Sequence, residues 1–373
     1  MKKIGLLFGQ ENGFPQAFID RVNDKQIDGI TAEAISIEKV IQGTPSGYSV
    51  ILDRISQDVP FYRTWLKQAA LDGTAVINNP FWWSADDKFV NNELAHRTGV
   101  KVPKTALIPS RDLPLNTSDQ SFRNLVYPFD WDAIFDHIGF PAYMKPYNGG
   151  GWKHVYKIHD REEFFAQHAR TGQLVMMLQE EIKYESYYRC YCIGGRYVRV
   201  IPYDPYQPEN QRYLTEDSGD TTLLNTIADQ VAQLNQYLGY DFNSVEIAIQ
   251  NGVPYVIDFW NPAPETNEKV IGTENFEWVV ETAATYAIQR AQQQTPGTDN
   301  LTWGNFLQHA IQGQQTAIVP GAKRVAAKKP TAVSPAKPPK DTKTLKEPKA
   351  PKVEDKETPA KKTSVKKTKK KED

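Results

Sequence analysis

Phe140 to Trp152, FPAYMKPYNGGGW, constrains this chain more than any other stretch. Phe140 to Met144 are apolar and aromatic, which suits a buried strand, and Lys145 follows at its end, before Pro146, Asn148 and three consecutive glycines. A lysine supplies a compact positive charge. Glycines let a backbone approach phosphate oxygens closely and present its N–H groups to them. The order suggests a phosphate site, although the same residues would also serve as a hairpin turn beside a surface lysine.

The segments before it alternate between strand and helix. Lys3 to Phe8 reads as a buried strand, Gln16 to Val22 as a helix, Glu33 to Ile37 and Tyr48 to Leu52 as strands, Phe61 to Leu71 as a helix, and Thr74 to Ile77 as a strand. Alternation of this kind predicts a small α/β domain with a mostly parallel sheet over residues 1–83. Next comes a helix carrying Lys88, Asn92 and Leu94, capped by Ser84 or Asp86 and stopped at Gly99. A lysine near a helix start opposes the helix dipole unless an anion sits there, or unless Asp86 and Asp87 offset it.

Residues 109–132 read as a polar loop or lid, and Trp131 to Ile138 as a short helix. His154 to Ile158 and Leu174 to Leu178 suit strands, with a helix from Glu162 to Ala169 between them. Arg189 to Ile193 and Tyr197 to Ile201 flank Gly194-Gly195, the dipeptide of a tight hairpin. An amphipathic helix is expected over Thr222 to Leu238, and a second hairpin over Val245 to Phe259, turning at Gln250-Asn251-Gly252. Glu277 to Gln294 closes the folded body as a helix, and Phe306 to Ile311 adds a turn or two.

The formal net charge of -1 hides an asymmetry. From Gly321 to Asp373 there are 18 Lys+Arg and 7 Asp+Glu, so this segment carries a surplus of +11 and the body is correspondingly acidic. The segment lacks aromatics and is rich in Lys, Ala, Pro and Thr, a composition that cannot bury enough apolar surface to fold. It is expected to be a disordered basic tail, able to hold DNA, RNA or another polyanion without sequence preference, or to act as a tether. The two cysteines, Cys190 and Cys192, are neighbours on one strand and read as buried thiols of a reducing compartment. No stretch approaches a membrane span, and a cytoplasmic location is expected.

Glu246, in SVEIAI, and Asp258, in YVIDFW, each sit among apolar residues, where an unpaired carboxylate would be costly. Two such acids on the arms of one hairpin argue for a metal ion. A three-residue loop would pair Ile249 with Val253 and leave Asp258 diagonal to Glu246 on the same face; a two-residue Asn-Gly loop would pair Glu246 with Ile257 and send Asp258 to the other face. The six histidines show no metal-ligand spacing, and no Ser-His-Asp or Cys-His constellation is legible.

Lys88, Lys145 before Gly149-Gly150-Gly151, Gln179-Glu180-Glu181-Ile182, Arg189, Glu246, Asp258 and Asn261 occur in the order found in ATP-grasp proteins. Over about Phe81 to Pro264 the chain resembles their branch of ribosomal-protein S6 modification ligases and glutathione synthetases, whose hinge strand also reads Gln-Glu-x-Ile-Lys and is followed by Arg-Cys. The resemblance implies an α/β (α+β) chain with an N-terminal α/β domain and a nucleotide-binding, catalytic domain over 84–312. It implies that Lys88 and Lys145 hold the α and β phosphates of ATP under a mobile loop of Gly149, Gly150, Gly151 and Trp152. Gln179, Glu180, Glu181 and Ile182 would meet the adenine, and Glu185 the ribose. Glu246, Asp258 and Asn261 would hold Mg²⁺, and Arg189 would stabilise the transferring phosphoryl group.

Read without the resemblance, Glu180 and Glu181 suit a solvated strand edge equally well, and Arg189 a surface ion pair. The family usually has Glu-x-Asn where this chain has Asp258-Phe259-Trp260-Asn261. A bulge at Phe259 or Trp260 would bring Asn261 back into place. The activity implied is ATP-dependent joining of a small-molecule or peptide carboxylate to an amine, with Arg199 and Arg212 as candidates to bind the acid. The rival reading is an ATP-binding interaction protein whose tail engages polyanions.

Overall fold

The computed structural model describes residues 1–83, 87–215 and 220–295, and three four-stranded sheets organise them. The first sheet contains β1 (Lys2–Leu7), β2 (Ile30–Ala34), β3 (Val50–Asp53) and β4 (Ala75–Ile77) in the order β2-β1-β3-β4, every pair parallel, as the alternating pattern predicts. β2 starts three residues before the expected Glu33, because Ile30 and Ala32 are the side chains that reach the core. The crossover helices Phe14–Asp24 and Pro60–Leu71 both carry proline in the first turn, where no backbone N–H has an intrahelical partner to lose.

The second sheet is antiparallel, in the order β5-β8-β6-β7: β5 (Thr105–Ile108), β6 (Ala142–Pro146), β7 (Tyr156–Ile158) and β8 (Met176–Glu180). β5 is not foreseen from the sequence; it is a four-residue edge strand with one fully buried residue, too little to show a period of two. Asp130 and Asp160 accept the third backbone N–H of the helices Trp131–Ile138 and Arg161–His168. Phe135, Ile138 and Phe164 from these helices pack on Ala142, Met144, Met176 and Leu178 of the sheet. Residues 109–130 lie between β5 and the first of these helices, with a single 3-10 turn at Asp119–Phe122.

In the third sheet β9 (Ser186–Ile193), β10 (Tyr197–Pro202), β11 (Phe242–Gln250) and β12 (Val253–Asp258) run antiparallel in the order β10-β9-β11-β12. The period of two sorts β9. Tyr188, Cys190 and Cys192 pack under the helix Thr221–Leu238, while Tyr187 and Arg189 face the other way, into a cleft. Both cysteines are free and buried, and burial pushes the Cys192 thiol up to about 12.

The long helix Thr273–Gln293 fills the space between the third sheet and the first. Its Val279, Val280, Ala283 and Ala287 share one core with Tyr191, Ile193 and Phe242 on one side and Ile4, Leu6, Phe14 and Phe18 on the other. Each large apolar side chain buried there contributes roughly 1.5–3 kcal/mol. No helix among the described residues is long and apolar enough to cross a membrane. The helical turn expected at Phe306 to Ile311 and the basic tail lie outside the described residues.

Asn78, just after β4, ties the first sheet to the third. Its amide nitrogen donates to Phe242 O (2.7 Å) and Pro262 O (2.9 Å), and its amide oxygen accepts from the N–H groups of Asp241 and Phe242 (both 2.7 Å), all in the interior. Asn78→Ala is expected to cost roughly 3 kcal/mol or more, since it strands several buried backbone groups at once. Chemical denaturation measures this, and a loss below about 1 kcal/mol would contradict the assigned network.

Candidate active site

A cleft of about 730 Å³ opens between the second and third sheets, and side chains from both line it. From the second sheet come Tyr143 and Lys145 of β6, the Gly149–Trp152 loop, and Gln179 to Ile182 at the end of β8. From the third come Tyr187, Arg189, Glu246 and Asp258, with Asn261 just beyond β12.

The hairpin that carries Glu246 and Asp258 is built in a way that neither expected register describes. Gln250 pairs with Val253 across a two-residue Asn251-Gly252 turn, both residues with positive φ (53° and 70°), so the three-residue loop is not formed. Taken alone, that register would have sent Asp258 to the far face. A bulge intervenes. Ile247 pairs with Val256, yet Glu246 pairs directly with Asp258, so Ile257 is the extra residue. The irregularity thus lies ahead of Asp258, not at Phe259 or Trp260 as expected, and it sets the two carboxylates on one rung.

Each carboxylate has cationic company. Lys88 Nζ lies 2.6 Å from Asp258 Oδ2 and Arg189 Nη1 lies 2.5 Å from Glu246 Oε1. Lys88 opens the helix Lys88–Arg97, whose cap is Asp87, one residue after the expected Asp86; Ser84 and Asp86 lie outside the described residues. Among the described residues, the carboxylate bonded to Lys88 at that helix start is Asp258, 170 residues away in sequence. Burial would push Asp258 up, but the Lys88 and Lys145 ammoniums overcome it and hold the carboxyl below its ordinary range.

Lys145 is the penultimate residue of β6 and projects toward the same rung, its Nζ 3.5 Å from Ile257 O. Burial, with the Lys88 charge beside it, pushes its ammonium down to about 8. A phosphate contact from Lys145 needs the protonated form, which prevails below that value and is lost as pH rises through it. ATP affinity is therefore expected to fall between pH 7 and pH 9, with proton uptake on binding near pH 8. Calorimetry in buffers of different ionisation enthalpy reads this, and a pH-independent affinity over that range would contradict it.

The glycine loop lies at the exposed rim of the cleft. Gly149 and Gly151 have φ of 94° and 69°, a conformation side chains resist, although a Cβ at either would meet nothing within 4 Å. At the other end, Gln179 is buried with its amide on Thr105 Oγ1 (3.1 Å), and Asn92 donates to the same oxygen. This couples the Lys88 helix to β8. Glu180 Oε2 accepts from Lys104 N, and Glu181 pairs with Lys157 at 2.6 Å. Ile182, in a stretch outside any strand, packs with Tyr187, Tyr203 and Ala248 as an apolar wall.

Two expected residues are not brought to the cleft. Glu185 accepts the backbone N–H groups of Asn251 and Gly252, so it caps the hairpin turn and does not line the cleft as a ribose partner would. Arg199 is held by Glu274 and Asn275 (2.6 Å each) at the start of the helix Thr273–Gln293, away from the cleft lining, whereas Arg212 does line the cleft. The sequence reading gave no role to Tyr187 or Asn78. Each is a single residue without a motif, and its partner lies more than 50 positions away.

The donor set suits a hard cation that arrives with phosphate. Glu246 and Asp258 offer carboxylate oxygens on one rung. Asn261 spends its amide nitrogen on Ser244 O (3.1 Å), leaving its oxygen as the remaining polar atom. Among the described residues no group of three or more His, Cys, Asp or Glu could hold a metal by itself.

No protein-family model and no curated protein matches this sequence. Solved structures do match in fold. A RimK domain ATP-grasp protein from Sphaerobacter thermophilus superposes with a TM-score of 0.52 at 16% identity, covering 77% of this chain and 99% of that one. The ATP-grasp ligase PsnB, complexed with a minimal precursor, gives 0.54 at 13% identity over 78% and 99%. D-alanine–D-alanine ligase from Bacillus anthracis gives 0.52 at 14% identity over 79% and 98%. The chain has the ATP-grasp fold.

Proposed function

We propose that this chain is an ATP- and Mg²⁺-dependent carboxylate-amine ligase that works through an acyl phosphate. The observation that carries this is the convergence, in one cleft, of Lys88, Lys145, the glycine loop, the 179–182 segment and the Glu246–Asp258 rung. Solved neighbours with this fold include ligases, and structures of some of them contain ATP, or Mg and ADP.

Bound Mg²⁺ and ATP would supply a transferable γ-phosphoryl group with its charge partly neutralised. Glu246, Asp258 and the Asn261 oxygen would hold the metal. Lys88 and Lys145 would bind phosphate oxygens, the glycine loop would cover them, and Ile182 would wall the base. Arg189, on the same strand face, would stabilise charge on the group in transfer. A carboxylate oxygen of the substrate, held by Arg212, attacks phosphorus and ADP departs; the amine then attacks the acyl carbon, losing a proton as phosphate leaves. Peptide and small-molecule acids both fall within this reading.

Hydroxylamine intercepts acyl phosphates. Incubation with ATP, Mg²⁺, hydroxylamine and a panel of amino, organic and peptide acids is expected to yield ADP and a hydroxamate together. Tight ATP binding with no hydroxamate across the panel would favour the second reading, an ATP-binding interaction protein. The surplus of +11 in residues 321–373 supports that second reading. A chain ending at 320 should keep its ATP affinity but lose any low-salt retention of DNA or RNA, whose log affinity in the full chain falls by roughly 0.9 per phosphate neutralised per decade of salt. Equal retention by both chains would refute a polyanion role for the tail.

A further inference from the structure

Tyr187 has no counterpart in the motif that carries the family resemblance, yet it is bonded to the central acid of the cleft. Its ring packs with Ile182, Tyr203 and Ala248, leaving 8% of the residue exposed, and its hydroxyl donates to Glu246 Oε2 at 2.6 Å. Arg189 takes the other oxygen, Oε1. Arg189 is the direct register partner of Glu246 on β9, and Tyr187 stands two residues along, opposite Ala248. One carboxylate is thus gripped at both oxygens from a single neighbouring strand.

The two donors differ in what they do to a cation. A guanidinium orients the carboxylate but also cancels its charge, which works against Mg²⁺. A neutral phenol orients it and leaves the charge intact. A tyrosine hydroxyl ordinarily keeps its proton at neutral pH, so it is the donor in this bond. Side chains that hold a ligand by its spare lone pairs typically contribute 10- to 100-fold to metal affinity.

Resting on the ATP and Mg²⁺ reading of this cleft, we infer that Tyr187 is a positioning residue for the metal carboxylate: it holds Glu246 across from Asp258 so that the pair receives Mg²⁺ with the nucleotide. In that role its hydroxyl acts through Glu246 and is not itself a metal ligand.

The test uses the full chain and a fluorescent ATP analogue, titrated with Mg²⁺ and, separately, in EDTA. Tyr187→Phe keeps the ring and removes the hydroxyl. The half-saturating Mg²⁺ concentration is expected to rise about tenfold, with affinity in EDTA unchanged within twofold. In a Glu246→Gln background the same substitution should have no further effect, because its route to the metal is gone. An unchanged Mg²⁺ midpoint in Tyr187→Phe, an equal loss in EDTA, or the full tenfold effect persisting in the Glu246→Gln background each overturns the inference. If the wild-type chain binds the analogue neither with Mg²⁺ nor in EDTA, the ATP reading itself falls, and the positioning role with it. Mg²⁺-dependent wild-type binding with an indifferent Tyr187→Phe removes the positioning role alone.

Discussion

Lys145→Ala is expected to weaken ATP binding by roughly 10- to 150-fold, the equivalent of about 1.5–3 kcal/mol for a charge-assisted hydrogen bond to phosphate. Three features place Lys145 toward the upper end. It projects from a paired strand, so its backbone is fixed; it lies among protein atoms, where phosphate attraction is poorly screened; and an arriving anion stabilises the ammonium that burial disfavours. Lys3→Ala is the control, since Lys3 is an exposed partner of Glu33 on the first sheet. Titration of a fluorescent ATP analogue reads both. Equal affinities within twofold for wild type and Lys145→Ala would remove Lys145 from the phosphate site.

Lys88→Met is expected to move two ligands in opposite directions, lowering ATP affinity while raising the affinity of the nucleotide-free chain for Mg²⁺, each on the order of tenfold. The cause lies in the charge balance. Lys88, Lys145 and Arg189 surround Glu246 and Asp258, three cations to two carboxylates, and Lys88 is bonded directly to Asp258. On the proposed function, Mg²⁺ alone would meet a site already neutralised, whereas Mg²⁺ with ATP would bring the phosphates that draw Lys88 away, so metal and nucleotide would bind as a unit. Isothermal titration of Mg²⁺ into each chain without nucleotide decides the matter. Tighter Mg²⁺ binding by wild type than by Lys88→Met would refute the coupling.

How much of this was legible in the sequence depends on whether a residue's role is local. The parallel first sheet was, because β1, β3 and β4 are short apolar runs separated by helices, and a crossover of that length leaves few other ways to bury them. The helices Trp131–Ile138 and Pro60–Leu71 also fall where the sequence places them, the second starting one residue before the expected Phe61. Strand β5 was not legible, since its pairing with β8 comes from tertiary docking and its own four residues carry no pattern.

Within the site, Lys145 and the glycines stood out because adjacency in sequence already implied their chemistry. Glu246 and Asp258 stood out because a carboxylate among β-branched and aromatic residues needs a reason to be there. Arg199 and Glu185 misled for the complementary reason. Both occur at plausible spacing, yet Arg199 is drawn to Glu274 and Glu185 to the hairpin turn by neighbours that sequence order does not reveal.

The sequence by itself determined which side chains were available: an acid on each arm of one hairpin, a lysine at a strand, glycines after it. Only the tertiary structure decided whether the acids meet. A two-residue turn flips every side chain beyond it relative to a three-residue turn, and the turn formed is the one that would have separated them. The bulge at Ile257 restores the meeting, and it persists because the ladder on both sides of it is already held. Val256 is packed under the helix Thr221–Leu238 and, beyond the bulge, Asn261 is tied to Ser244, so the chain is held on both sides of Ile257. That constraint comes from three elements closing on one strand, and no local pattern in the chain encodes it.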